Sequence, residues 1–253
     1  MEEKNKKPAS DTPEKKSSRP KKNEVNLDVN EMLSCGLAVG HTVSRLHPKM
    51  KEYTVGVKNN TNIINLEKSA EKFSKALNFI SDLIIADKKI IFVGTKIQMR
   101  ELVKKAAEDC EVPYVTERWL GGTFTNFETI SKRVAYFKEM ETKKSTGEIN
   151  KYTKKERIKI DREIEILRIK FEGIKNMSKT PDAVFICDLK KDITCAKEAR
   201  RKNITIVAIT DTNINPKLAD YPIPANDDAI SSVRYILDKV SETIKKVKNQ
   251  KSE

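Results

Sequence analysis

The chain has 253 residues, 38% of them hydrophobic, which is enough for one large domain or two small ones with a buried core. Fifty Lys and Arg against thirty-seven Asp and Glu leave a formal charge of +13, and with only 6% aromatic residues that balance points to a polyanionic partner. No stretch approaches the roughly 18 uncharged apolar residues of a transmembrane helix, and the mixed-charge N-terminus suits neither a signal peptide nor a transit sequence, so a cytoplasmic protein is expected.

Residues 1–24 hold eight basic and five acidic residues, three prolines and no large apolar side chain beyond Met1. Such a segment cannot offset its ordering entropy, and a disordered basic tail is expected. Folding should begin over residues 25–33, where Val25, Leu27, Val29, Met32 and Leu33 supply the first apolar side chains. Residues 36–57 read as a loop-rich lead into a hairpin, with strands near 53–57 and 62–64 turned at Asn59-Asn60, a pair that tolerates positive φ.

From Asn65 the apolar period becomes helical: Leu66, Ala70, Phe73, Leu77, Ile80 and Ile84 recur at steps of three and four behind an Asn in the cap position. A buried parallel strand is expected at 89–95, a helix at 98–110 and a strand at 114–117, which together make a first β-α-β unit. Further buried strands are expected at 183–187 and 205–209, separated by a helix over 193–202. A short Pro-flanked strand at Ile223 and a helix from Asp227 or Asp228 to Lys246 complete the pattern. Strands alternating with helices predict a doubly wound α/β fold of the flavodoxin-like or Rossmann-like kind, with a mainly parallel sheet of about five strands.

One insertion interrupts the alternation. Thr125-x-x-Glu128 and Thr153-x-x-Glu156 both read as capping boxes, each opening a long segment with heptad-like apolar spacing. Phe127, Ile130, Val134 and Phe137 on the first face Ile160, Ile164, Leu167 and Phe171 on the second, which predicts an antiparallel coiled-coil hairpin projecting from the body. Between Lys132 and Lys175 there are fourteen basic and eight acidic residues, so nearly half of the net charge falls there. The expected organisation is a tail at 1–24, an α/β body at 25–124 and 174–248, the hairpin at 125–173 and a C-terminal tail at 249–253.

Enzymatic chemistry finds little support. None of the eight glycines forms G-x-G, and Gly94-Thr95-Lys96 lacks the earlier glycine of a phosphate loop, since position 89 is Lys. Asp188 and Asp211 follow predicted parallel strands and, with Thr95, Lys96, Asn213, Asn226 and Asp227, form the alternative reading: a nucleotide-binding enzyme or sensor. The competing reading makes these residues helix caps and turn formers. His41 and His47, the only histidines, match no common zinc spacing with Cys35, and no metal or cofactor is expected. Cys35, Cys110, Cys187 and Cys195 contain no C-x-x-C pair and should be buried free thiols.

The most unusual segment is Glu117-Arg118-Trp119-Leu120-Gly121-Gly122-Thr123-Phe124-Thr125-Asn126-Phe127, which holds the only Trp and two adjacent glycines before a helix. Trp119 is expected to pack arm against body, while Arg118 and free amides near residues 121–123 suit phosphate. Pro48-Lys49-Met50-Lys51 is a second basic turn, and further clusters at Arg200-Arg201-Lys202 and Lys245-Lys246-Lys248 imply many phosphate neighbours.

In chain order these residues resemble the bacterial small-subunit ribosomal protein two family over about nine tenths of the chain. The resemblance is carried by Gly36 with Gly40-His41, Pro48-Lys49-Met50-Lys51, Ile63-Ile64-Asn65-Leu66-Glu67-Lys68, Phe92-Val93-Gly94-Thr95-Lys96, Arg118-Trp119-Leu120-Gly121-Gly122 and Thr125-Asn126. Tyr152 to Glu156, Pro181-Asp182-Ala183, Lys197-Glu198-Ala199, Asp211-Thr212-Asn213 and Asn226-Asp227-Asp228-Ala229-Ile230 continue it. Departures are Ala38 where the family often has His, Leu46-His47 for Trp-Asn, and Phe127 for Trp. The resemblance implies a non-enzymatic α/β protein with a helical hairpin at the back of the small subunit, binding its ribosomal RNA. It also implies help in recruiting the large mRNA-binding first protein of that subunit. On that reading Lys49, Lys51, Lys96, Arg118, Lys132 and Arg133 are the expected phosphate contacts, and Trp119, Gly121 and Gly122 are structural.

Overall fold

The computed structural model describes residues 27–252, so the tail expected at 1–24 lies outside the described residues. The first helix is short: α1 (Val29–Ser34) starts at Asp28, whose carboxylate accepts the Asn30 N–H. Strands β1 (Val39–Thr42), β2 (Thr54–Lys58) and β3 (Thr61–Ile64) form a small antiparallel sheet in the order β1-β3-β2. The predicted hairpin is present, turned by Asn59 and Asn60 at φ 49° and 59°. β1 was not expected; its pairing with β3 spans about twenty residues, and Val39 and Thr42 are exposed, so neither a local turn nor an apolar period marks it.

Helix α2 (Leu66–Ile85) forms as its spacing predicts, with Asn65 capping the Glu67 and Lys68 amides at 3.0 and 3.2 Å. It buries Phe73, Leu77 and Ile80, each contributing about 1.5–3 kcal/mol of transfer free energy. Next come β4 (Ile90–Val93), α3 (Arg100–Asp109), β5 (Tyr114–Val115), α4 (Phe127–Ser145) and α5 (Lys154–Phe171). The chain closes with β6 (Ala183–Ile186), α6 (Ile193–Arg201), β7 (Thr205–Thr210), β8 (Tyr221–Pro224) and α7 (Ile230–Ser252). α7 continues past the expected end at Lys246 into the segment read as a tail, where Lys251 reaches Asp87 at 2.6 Å.

The five-stranded sheet is wholly parallel and ordered β5-β4-β6-β7-β8, the flavodoxin-like order with its switch point between β4 and β6. Alternate residues serve opposite faces. Phe92, Phe185, Val207 and Ile223 join α2, α3 and α7 in one core cluster, while Ile91, Val184, Ile186 and Ile206 join α6, α4 and α5 in another. This is the doubly wound arrangement the sequence predicts.

The helices α4 and α5 occupy the β5-to-β6 crossover, joined by residues 146–153. The Thr153–Glu156 capping box forms at the start of α5. The Thr125 box does not: α4 starts from Asn126, and Thr125 turns its N–H and hydroxyl to Glu198 instead. Phe137, Met140, Ile164 and Phe171 are buried with one face of the sheet, so the hairpin is rooted in the body's core. Lys144 with Asp161 at 2.6 Å and Tyr136 with Glu163 at 3.0 Å tie its arms together.

Candidate nucleic-acid interface

Parallel strands bring distant loops to one edge. Residues after β4 (Thr95, Lys96), β5 (Glu117, Arg118), β6 (Asp188), β7 (Asp211) and β8 (Asn226, Asp227, Asp228) all leave the C-terminal edge of the sheet, where open α/β folds place their sites. The small sheet packs there through Thr212, whose hydroxyl accepts the His41 N–H at 2.8 Å and whose carbonyl accepts the His47 N–H at 2.8 Å.

The acidic residues at this edge are committed to one another's neighbours. Lys96 places its ammonium 2.5 Å from Asp228 Oδ1, 2.9 Å from the Asp227 carbonyl, 3.3 Å from Asp227 Oδ1 and 3.5 Å from Asp188 Oδ2. Burial works against the Lys96 charge, but the Asp228 hydrogen bond and the three carboxylates hold its pKa above the ordinary lysine range. Asp227 is pushed up to about 7 by burial and by the charges of Asp188 and Asp211. Asp228 is held below the usual carboxylate range by Lys96. His41 meets Asp211 at 3.1 Å, and that hydrogen bond raises the imidazole pKa against the effect of burial.

Asp188 accepts the Lys191 N–H at 2.8 Å, Asp211 accepts the Thr212 hydroxyl at 2.9 Å, and Asn226 accepts the Asp228 and Ala229 amides at 2.8 and 3.2 Å. These are the turn-forming roles, and Asp188 and Asp211 are buried in them. His41, Asp227 and Asp228 offer ligand atoms within 4.8 Å of one another, but the Lys96 ammonium already serves both of those carboxylates as their cation. Lys96, expected to contact phosphate, is therefore a neutralising residue of the fold, with a side chain only 16% exposed.

The Arg118–Phe127 segment is organised by a residue that no motif pointed to. Glu198, on the buried face of α6, accepts the Trp119 indole N–H at 3.3 Å and the Gly122 N–H at 2.8 Å on one oxygen. Its other oxygen accepts the Phe124 N–H at 3.1 Å, the Thr125 N–H at 3.4 Å and the Thr125 hydroxyl at 3.3 Å. Of the amides expected to be free for phosphate, Gly122 N–H thus already holds an internal carboxylate and Thr123 N–H is bonded to the Leu120 carbonyl. Trp119 is buried edge-on against Phe124 with ring centroids 4.7 Å apart. Gly122 sits at φ +94°, which favours glycine, whereas Gly121 is exposed and in no such conformation. A charged residue three positions after buried Cys195 on an otherwise apolar helix face was the sequence signal for Glu198.

The remaining expected contacts are scattered. Lys49 and Lys51 are exposed on a 3-10 turn, Pro48–Tyr53, capped by His47. Arg118 is exposed after β5, and Lys132 and Arg133 are exposed on the second turn of α4. Lys132 pairs with Glu128 at 2.7 Å, a solvent-exposed contact of the kind that contributes little. Among the described residues Lys49, Lys51, Arg118 and Arg133 have no ion-pair partner.

A family model described as ribosomal protein S2 matches residues 32–247 of this doubly wound chain. The chain belongs to that family. It is 42% identical over 216 residues to the small ribosomal subunit protein uS2 of Roseiflexus sp. (strain RS-1), covering 85% of this chain and 82% of the relative. To its Helicobacter acinonychis (strain Sheeba) counterpart it is 43% identical over 218 residues, covering 86% and 89%. The Endomicrobium trichonymphae protein of that name is 41% identical over 220 residues, covering 87% and 90%. S2 proteins are structural proteins of the small ribosomal subunit and not enzymes, so this chain is a structural component of the translation machinery. The Asp188 and Asp211 enzyme reading is set aside accordingly. Among the described residues no helix is long and apolar enough to cross a membrane.

Proposed function

We propose that the chain binds small-subunit ribosomal RNA through Lys49, Lys51 and Arg118 on the body and Lys132 and Arg133 on α4, and that it works in the cytoplasm as a fixed part of the subunit. The observation that carries this reading is the contrast between buried and exposed cations. Lys96 is neutralised internally, whereas Lys49, Lys51, Arg118 and Arg133 face solvent with no carboxylate partner among the described residues. In a chain of net charge +13, such residues release counterions on meeting phosphate. Placement at the back of the subunit, and assistance in recruiting the large mRNA-binding first protein, belong to the same proposal and rest on the family resemblance.

The test is charge reversal. The Lys49→Glu/Arg118→Glu double variant should melt like the wild type and associate more weakly with small subunits lacking this protein. Full retention of the double variant in high-salt sucrose gradients would overturn the reading.

A further inference from the structure

Beside the Glu198 node lies an open cleft of about 920 Å³, at the switch point between β4 and β6. Its volume is within the roughly 300–1,000 Å³ of small-ligand sites. Ile97 (75% exposed), Leu120 and Ile169 (53% exposed) give it an apolar lining. Arg118, Lys170 and Lys191 supply cations at the same cleft, are exposed, and have no ion-pair partner among the described residues. Gly121 contributes bare backbone to the lining: a Cβ built there finds nothing closer than 4.0 Å.

We propose that this cleft receives one unstacked nucleobase of the small-subunit RNA, its flat face against Ile97 and Leu120 and its flanking phosphates on Arg118, Lys170 and Lys191. The proposal rests on the RNA-binding reading above and specifies one contact within it. Three features favour a nucleotide. Exposed aliphatic side chains in a charged rim match a ligand that is apolar on its face and anionic at its edge. Splayed-out bases stacked on aromatic rings or Arg guanidinium planes are the usual means of sequence-bearing RNA recognition, and Arg118 offers such a plane at this cleft. One wall, from Trp119 to Gly121, is also set before binding, because Glu198 holds the Trp119 ring and the Gly122 N–H on either side of it, so that wall requires little ordering on association.

The experiment uses the full chain and small subunits stripped of it, measuring affinity across salt concentrations and the reactivity of base edges to dimethyl sulfate and carbodiimide. Ile97→Asn, which adds no charge, should weaken association on the order of tenfold, the scale of one base contact, and leave the salt slope unchanged. A single nucleotide protected by the wild type should regain reactivity. Ile97→Thr should show the same pattern more weakly, and unchanged Trp119 emission verifies folding. If Ile97→Asn binds as the wild type does while Arg118→Glu binds weakly, the RNA reading stands and the base cleft is overturned. If affinity falls with no nucleotide regaining reactivity, a protein neighbour fills the cleft and the proposal is overturned. If Arg118→Glu and the Lys49→Glu/Arg118→Glu pair also bind as the wild type does, the RNA-binding reading itself fails.

Discussion

Trp119 and Glu198 meet across 79 residues of chain, the indole N–H donating to the carboxylate at 3.3 Å. The same carboxylate gathers the amides of Gly122, Phe124 and Thr125, so a buried charge is placed where an anion would sit in a nest of backbone donors. This joins α6, the β5 exit and the start of α4 at one point. It fixes the root of the hairpin on the body and shapes one side of the cleft at the switch point.

Glu198→Ala removes the acceptor for five donors, of which the Trp119 indole N–H and the Phe124 N–H are buried, and should destabilise the protein by about 3 kcal/mol, because buried donors left unpaired cost about 1–3 kcal/mol each. Glu198→Gln keeps one carbonyl oxygen and should cost about half as much. Urea denaturation followed by the emission of the single Trp reads both changes. A midpoint for Glu198→Ala equal to the wild type would show that the node is ornamental to stability.

The glycines separate by the space around them. At Gly173 a Cβ would lie 2.2 Å from the Tyr114 backbone oxygen, so Gly173→Ala must push β5 and the end of the hairpin apart. A loss of about 2 kcal/mol is expected from that overpacking. At Gly122, φ +94° makes Gly122→Ala cost about 1 kcal/mol or more. Gly121→Ala meets only Glu198 Oε1 at 4.0 Å and should be near neutral. Thermal melting of the three variants gives the ranking, and equal melting of Gly121→Ala and Gly173→Ala would contradict it.

Elements with a local signal were legible. The three-and-four spacing of α2, the apolar runs of β4, β6 and β7, and the Asn59-Asn60 turn depend on neighbours in sequence, and each forms where expected. What escaped depends on partners far along the chain. β1 exists because β3 offers it hydrogen bonds, and Thr125 abandons its capping box because Glu198 is a stronger, buried acceptor. The ion pairs of Lys96 escaped because its three carboxylate neighbours come from other strand ends, 92 to 132 residues away by sequence number.

Above the ordinary carboxylate range the acidic edge gives the fold a pH dependence of one sign; Asp228, held low by Lys96, acts in the opposite direction only below that range. Unfolded, the Asp227 carboxyl ionises in the ordinary range near 4; folded, it holds its proton to about 7. The folded state therefore binds more protons between those values, and stability falls as pH rises through them. His41 acts in the same direction: its raised value contributes stability fully present below about 6.5 and lost as pH climbs through the folded pKa. Asp227→Asn removes the larger part of this effect. Its melting temperature relative to wild type should rise between about pH 4.5 and pH 7.5, and a difference that stays flat or falls over that interval would show that Asp227 ionises normally in the folded protein.

Lys96 offers the sharpest separation of folding from binding. Its ammonium serves Asp188, Asp227 and Asp228, and among them Asp227 is 3% exposed, so above about pH 7, where Asp227 is ionised, removing it leaves buried negative charge without a counter-ion. Breaking a buried pair in this way costs about 3–5 kcal/mol, although the exposed Asp228 moderates it here. Lys96→Met should therefore lower the denaturation midpoint strongly, and pairing it with Asp227→Asn should recover part of the loss, since one carboxylate is then already neutral. At temperatures where Lys96→Met remains folded, its association with small subunits should keep the wild-type salt slope, because no phosphate contact has been lost. A slope reduced by about one, with an unchanged midpoint, would return Lys96 to the RNA-contacting set.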